Sequence, residues 1–140
     1  MKKNFIFLFL LFFFSLIGMA QGKNYQLSSH ILDINVGKPA AGVKITLSKQ
    51  DQSGAWVKVE ERITDENGRV KDFLEENTDG SGGSNVGIYK LTYHVASYFE
   101  ALGQASFYPF IEVVFEIKDG AHYHVPITLS PYGYSTYRGS

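Results

Sequence analysis

Apolar and polar residues alternate over much of this chain, and a period of two predicts β-strands. Apolar side chains take every second position in four runs, which cover residues 43–47, 89–93, 111–117 and 123–129. In a fifth run, residues 25–33, the apolar side chains of Leu27 and Ile31 share one face. Because successive side chains of a strand point to opposite faces, each run has one face suited to a protein core.

Turn-forming sequences separate these runs. The segments GKP (37–39) and DENG (65–68) predict tight turns, and the Gly- and Ser-rich residues 77–87 predict a surface loop. Only residues 97–103 (SYFEALG) favour a helix. Short strands at this spacing are typical of a sandwich. We therefore predict an all-β fold, a β-sandwich of about eight strands with one short helix.

The first twenty residues have the pattern of a secretory signal peptide. Lys2 and Lys3 give a basic start, residues 5–19 are almost wholly apolar, and the segment GMA (18–20) supplies the small residues that a signal peptidase reads. A membrane anchor is the alternative, but residues 5–20 fall short of the roughly 20 that a spanning helix needs. We therefore predict a signal peptide over residues 1–20.

Cleavage after Ala20 would leave one domain over residues 21–140, periplasmic or secreted and no longer bound to the membrane. Without Lys2 and Lys3, that domain has 11 basic residues of the original 13 against 14 acidic ones, a net charge of −3. This balance disfavours nucleic acid as a partner. The chain has no cysteine, so a packed core or subunit contacts must stabilise the exported domain in place of disulfides.

Three histidines lie on the faces opposite the apolar ones. In residues 123–129 the odd positions are apolar, so His122 and His124 project from the other face of that strand. In residues 25–33 the same argument places His30 on the outer face. Two predicted strands thus carry imidazoles outside the core.

Alternation alone leaves three interpretations of these side chains open. They could be solvated surface histidines. His122 and His124 could bind a metal ion, since residues two apart on a strand share a face, although the sequence has neither cysteine nor a matching carboxylate motif. They could also perform general acid–base chemistry, which suits an imidazole at neutral pH.

Arg69 directly follows the DENG turn, whose Asn-Gly pair can supply the positive φ of a tight hairpin. Such a turn would hold Arg69 on a rigid support. The side chain is then either an ordinary exposed strand residue or a guanidinium that binds a planar, carbonyl-rich anion.

Four longer blocks occur in order between Ser28 and Ser140: SSHILDINVGKPAAGVKITL, TDENGRV, YFEALGQASFYPFIEVVFEI and HYHVPITLSPYGYSTYRGS. They resemble successive blocks of the 5-hydroxyisourate hydrolases, the transthyretin-like enzymes of urate breakdown. The closing Tyr-Arg-Gly-Ser is the hallmark of those enzymes, and transthyretin itself lacks it. The resemblance implies that the sandwich has the transthyretin-like (prealbumin) fold.

The resemblance also implies which residues form the site. His30 in SSHILD, Arg69 in NGR and His124, the second histidine of HYHVP, would be the catalytic residues. The substrate 5-hydroxyisourate would be bound by His30 and Arg69 together with Tyr137 and Ser140 of the closing tetrapeptide. Neither a metal nor another cofactor is implied.

The implied reaction is hydrolysis of the ring amide of 5-hydroxyisourate to 2-oxo-4-hydroxy-4-carboxy-5-ureidoimidazoline by histidine-assisted attack of water. We favour His124 as the base or its close partner and His30 as the group that orients water or substrate. Arg69 would offset charge that develops on the carbonyl oxygen. The implied assembly is a homotetramer with sites at the dimer–dimer interface, where a strand over residues 132–138 would carry the end of the chain into the site.

Two departures from the family pattern accompany this resemblance. Asn67-Gly68-Arg69 stands where Asp-Gly-Arg is usual, which keeps the turn chemistry, and the loop over residues 77–87 looks longer than the usual connection. The alternative function is a non-catalytic binding domain, because DINVGKPAAGVKITL and TDENGRV also resemble the carboxypeptidase regulatory-like domains of exported proteins. That second resemblance reaches neither HYHVP nor YRGS. A hormone-type carrier is the remaining alternative.

Overall fold

Two β-sheets and one short helix make up the computed structural model, which describes residues 22–76 and 84–140. The strands are β1 (Tyr25–Asp33), β2 (Lys38–Pro39), β3 (Lys44–Gln50), β4 (Trp56–Ile63), β5 (Arg69–Glu75), β6 (Gly87–Tyr93), β7 (Ile111–Ile117), β8 (Tyr123–Ser130) and β9 (Gly133–Thr136), and the helix is α1 (Val95–Ala101). The predicted signal peptide and residues 77–83 of the predicted loop lie outside the described residues. Within those residues, no helix is long and apolar enough to cross a membrane.

The first sheet, which we call sheet A, is built around β1. Strand β8 pairs with β1 in parallel, and β9 continues the sheet at the edge of β8. On its other side, β1 pairs antiparallel with β5 and, near its end, with β2. The second sheet, sheet B, is antiparallel in the order β4-β3-β6-β7. The central position of β1 brings strands from both ends of the chain together.

The core lies between the two sheets and is filled by the alternating apolar positions. Leu27 and Ile31 of β1 are fully buried, as expected from their spacing. The other large side chains with almost no exposure are Ile45, Leu47, Phe73, Tyr89, Leu91, Tyr93, Phe99, Ile111, Ile117 and Ile127. Burying one such aliphatic or Phe side chain contributes about 1.5–3 kcal/mol relative to leaving it exposed. The predicted all-β sandwich with one short helix is therefore confirmed.

Two local predictions need correction, and the alternation did not predict strand β4. The helix covers Val95–Ala101 and not residues 97–103, because Val95 and Phe99, one turn apart, pack into the core. The last strand covers only Gly133–Thr136 and not residues 132–138. Strand β4 had no clear run of its own, because it lies at a sheet edge and leaves even its apolar residues at least 37% exposed.

Candidate active site

The outer face of sheet A gathers polar side chains from three strands. On β1, Ser28 and His30 point away from the buried residues Leu27 and Ile31. In the parallel pairing with β8, Ser28 lies beside His124. In the antiparallel pairing with β5, His30 lies beside Arg69. The structure therefore brings together the three residues for which the sequence predicted catalytic roles.

Arg69 is positioned by the turn before it. The Asp65 carboxylate accepts hydrogen bonds from the backbone N–H groups of Asn67 (2.8 Å) and Arg69 (2.9 Å). Gly68 has φ of +69°, and a Cβ there would lie 2.5 Å from the carbonyl oxygen of Ile31, so only glycine fits. The predicted tight turn is confirmed. It does not form a hairpin within one sheet, because β4 belongs to sheet B and β5 to sheet A.

His124 is held from two sides. Its Nδ1 lies 2.7 Å from the hydroxyl oxygen of Ser28. On the other side, the N–H of Gly139 donates to the carbonyl oxygen of His124 at 2.9 Å. A Cβ on Gly139 would collide with the imidazole ring, reaching 3.1 Å from its Cγ and closer still to Cδ2. The closing Tyr-Arg-Gly-Ser therefore lies against the imidazole, and its glycine leaves room for the ring.

Both candidate histidines are kept in their neutral form. Burial lowers the pKa of His124, and the nearby positive charge of Arg69 lowers it further, followed by those of His30 and His122. Burial and then Arg69 also lower the pKa of His30, while the Asn67 backbone and Asp65 act in the opposite direction. Since the ordinary value is 6.5, both imidazoles are neutral at pH 7 and can accept a proton.

A cavity of about 370 Å³ opens beside His124 at the edge of the sandwich. Tyr137 and Arg138 line it together with residues of β7 and β8, and the Arg138 guanidinium carbon lies 4.7 Å from the centre of the Tyr123 ring. Tyr137 is 63% exposed and thus accessible. Ser140 follows directly on Gly139, so the end of the described chain lies within one residue of the contact with His124. His30 and Arg69 do not line this cavity.

Comparison with known proteins places these features in a family. The model of the HIUase/Transthyretin family matches residues 27–139, which include all strands apart from the first two residues of β1 and all the predicted site residues apart from Ser140. The chain belongs to the HIUase/Transthyretin family. The resemblance drawn from the four sequence blocks is thereby confirmed.

Several relatives and solved structures are similar to this chain. A probable 5-hydroxyisourate hydrolase of Caenorhabditis elegans is 47% identical over 116 residues, covering 82% of this chain and 82% of the relative. The structure of Klebsiella pneumoniae 5-hydroxyisourate hydrolase aligns with a TM-score of 0.66 at 33% identity, over 85% of this chain and 100% of that one. Sea bream transthyretin in complex with thyroxine aligns with a TM-score of 0.72 at 27% identity, over 81% of this chain and 94% of that one. The fold is therefore transthyretin-like.

His122 makes contacts that the sequence analysis did not foresee. Its Nδ1 donates to the carbonyl oxygen of Tyr25 at 3.0 Å, and its Nε2 lies 2.9 Å from the hydroxyl oxygen of Ser28. Both ring nitrogens are thus engaged, and a metal ion would have to displace one of these bonds. Among residues 22–76 and 84–140, no three metal-ligating side chains form a group suited to an ion. Alternation placed His122 on the correct face, but only strand pairing reveals Ser28 as its partner.

Proposed function

We propose that this chain is an enzyme of purine catabolism that hydrolyses 5-hydroxyisourate to 2-oxo-4-hydroxy-4-carboxy-5-ureidoimidazoline. The observation that carries this proposal is the cluster of His30, Arg69 and His124 on the outer face of sheet A, with two neutral imidazoles beside a guanidinium. Relatives up to 47% identical over most of the chain are named as 5-hydroxyisourate hydrolases, which supports the same substrate.

In the proposed mechanism, neutral His124 takes a proton from water as the water oxygen attacks the carbonyl carbon of the ring amide. Negative charge then develops on the carbonyl oxygen, and the guanidinium of Arg69 offsets it. His30, which lies beside Arg69 in the sheet, orients the water or the substrate. The C–N bond breaks and the proton passes to the leaving nitrogen, so neither a covalent intermediate nor a cofactor is required.

Arg69 is well suited to the charge-stabilising role because no carboxylate of the described residues forms a salt bridge with it. Within the described parts of the chain, every salt bridge involves other residues. The nearby Asp65 carboxylate accepts backbone N–H bonds of the turn. We propose that Tyr137 and Ser140 bind the substrate together with His30 and Arg69, a role supported for Tyr137 by the cavity that it shares with His124.

We also propose that the protein is a homotetramer with its sites at the dimer–dimer interface. Support comes from exposed apolar residues where β1 and β8 end side by side: Ile34 is 54% exposed, Val36 53% and Tyr132 76%. Apolar residues grouped at one end of a sheet are typical of an interaction surface. Analytical ultracentrifugation of the active protein is expected to show a tetramer, and a fully active monomer would contradict the proposal.

Export to the periplasm or the exterior is proposed from the predicted signal peptide over residues 1–20, with the hydrolase domain over residues 21–140. Expression of the full chain followed by amino-terminal sequencing tests it. A mature protein that begins at Gln21 is expected, whereas a cell-associated chain that keeps Lys2 and Lys3 would contradict export.

The non-catalytic binding domain is not favoured, because the family match extends through HYHVP to Gly139. The decisive experiment follows the decay of freshly generated 5-hydroxyisourate by absorbance, with and without protein. We expect decay to accelerate in proportion to protein concentration and to be unaffected by a chelator. If folded wild-type protein left the decay rate of 5-hydroxyisourate unchanged, the proposed function would be overturned.

A further inference from the structure

A row of hydrogen bonds connects the backbone of β1 to the imidazole of His124. It begins at the carbonyl oxygen of Tyr25, which lies 3.0 Å from Nδ1 of His122. It continues from Nε2 of His122 to the hydroxyl of Ser28 (2.9 Å) and from that hydroxyl to Nδ1 of His124 (2.7 Å). The bonds link residues more than ninety positions apart in sequence, since β1 and β8 pair in parallel.

When His122 is neutral, the carbonyl at the start of the row fixes the direction of every bond. A carbonyl oxygen only accepts, so Nδ1 of His122 carries a proton. In neutral His122 the other nitrogen, Nε2, is then an acceptor, and the Ser28 hydroxyl must donate to it. A hydroxyl has a single proton, so Ser28 can only accept from Nδ1 of His124. His124 therefore carries its proton on Nδ1, and its Nε2 keeps a free lone pair.

The remaining ring nitrogen of His124 is unoccupied by the protein. Within residues 22–76 and 84–140, its Nε2 has no hydrogen-bond partner. Gly139 packs against the adjacent Cδ2 atom and limits rotation of the ring. The lone pair thus has a defined direction and is not used by another group of the described residues.

We propose that Ser28 and His122 are positioning residues that hold His124 in the Nδ1–H tautomer and so make Nε2 the atom that accepts the proton from water. The inference rests on the proposed hydrolysis and names the atom that performs its first step. Without the row, either nitrogen of His124 could carry the proton. Molecules with the proton on Nε2 could not accept a proton from water at that atom. His122 thereby acts through His124 and does not touch the substrate.

The test reads the tautomer directly in the ligand-free protein. Two-bond ¹H–¹⁵N correlation spectra of the imidazoles distinguish Nδ1–H from Nε2–H, and kcat and KM for 5-hydroxyisourate are measured on the same samples. The variants are Ser28→Ala, Ser28→Thr, His122→Ala and His122→Gln. Thr keeps the hydroxyl, and Gln keeps one donor and one acceptor. His94→Ala, which removes a histidine that contacts Thr46 of sheet B, is the matched control.

Wild-type His124 is expected as the Nδ1–H tautomer. Ser28→Ala should give a mixture of tautomers and lower kcat about tenfold while KM stays within about twofold, because the loss concerns the chemical step. His122→Ala should act in the same direction but less strongly. Ser28→Thr and His122→Gln should retain the tautomer and most of kcat, and His94→Ala should change neither.

Two results would overturn the inference: an Nε2–H tautomer in wild-type His124, or a Ser28→Ala protein whose tautomer and kcat both equal those of the wild type. Equal loss of kcat in Ser28→Ala and Ser28→Thr without a change of tautomer would also contradict it, because packing alone would then explain the loss. If wild-type protein failed to hydrolyse the substrate, the proposed function would fall, while the spectra would still decide the tautomer.

Discussion

The two sheets present outer faces that are both polar but differ in how their charges are arranged. On sheet B, charged side chains are paired: Lys90 lies 3.2 Å from Glu112, and Lys58 lies 3.0 Å from Glu61. On sheet A, Arg69 has no such partner in the described parts of the chain, and imidazoles lie around it. Sheet B thus pairs several of its charges, whereas the guanidinium of Arg69 on sheet A is available to an anion.

A histidine occurs on each face, which makes the contrast specific. His94, which follows β6 and contacts Thr46 of sheet B, has a lowered pKa, caused first by burial and then by Lys44, much as burial and Arg69 act on His124. However, Nε2 of His94 lies 3.0 Å from the hydroxyl oxygen of Thr46 and is occupied. A lowered pKa is therefore shared by both faces. Of the two faces, only that of sheet A combines it with a guanidinium that forms no salt bridge within residues 22–76 and 84–140.

The largest effect is expected from removing the groups that distinguish sheet A. His124→Ala should lower turnover by about 10²-fold, and His30→Ala and Arg69→Ala by at least about tenfold each, within the range for positioned catalytic groups. Steady-state rates on folded protein provide the measurement. His94→Ala serves as the control on sheet B and should have much less effect. A loss for His122→Ala as large as that for His124→Ala would contradict the roles assigned within HYHVP.

The next effect concerns the closing tetrapeptide. Gly139→Ala places a methyl group against the imidazole of His124, so the ring or the chain end must shift. We expect turnover to fall about tenfold, because small displacements of a catalytic group are costly, while the melting temperature changes little. Gly120→Ala, at a site where a Cβ meets nothing within 4 Å, is the matched control. Equal activity of the two variants would show that the tetrapeptide does not position the ring.

A smaller effect is a shift in the pH dependence. His124 must be neutral to act as a base, and its lowered pKa should place the midpoint of the acid limb of kcat/KM below pH 6.5. Arg69→Gln removes a positive charge that lowers this pKa, so the pKa should rise toward 6.5 and the acid limb should move to higher pH. An NMR titration of His124 gives the same pKa independently of the residual activity. No shift, or a shift to lower pH, would contradict the influence of Arg69.

The smallest effect is expected on sheet B. Glu112→Gln breaks the pair with Lys90, in which the glutamate side chain is 42% exposed. Such partly exposed pairs contribute about 0.2–1 kcal/mol, so the free energy of unfolding should fall within that range and hydrolysis should be unchanged. Urea unfolding and the decay assay measure the two quantities. A large loss of activity would mean that the two faces are not functionally separate.

The sequence by itself determined the fold class and the faces of the strands. Leu27 and Ile31 predicted the buried side of β1, and the same alternation placed His30 and His124 outside the core. Asp65 to Gly68 predicted the turn that supports Arg69, because only glycine tolerates the backbone conformation at its end. These features depend on local sequence, and local sequence was sufficient for them.

The tertiary structure alone decided which outer-face residues meet. Ser28 and His124 are 96 positions apart, and they become neighbours because β8 pairs with β1 in parallel at one register. Register between distant strands follows from how all the buried faces pack together, which no single run specifies. The contact of Gly139 with the His124 ring and the direction of the Tyr25–His122–Ser28–His124 row have the same origin. The alternation of apolar and polar residues could thus place the histidines on the outer face, but only the packing of the strands shows which nitrogen of His124 is left free.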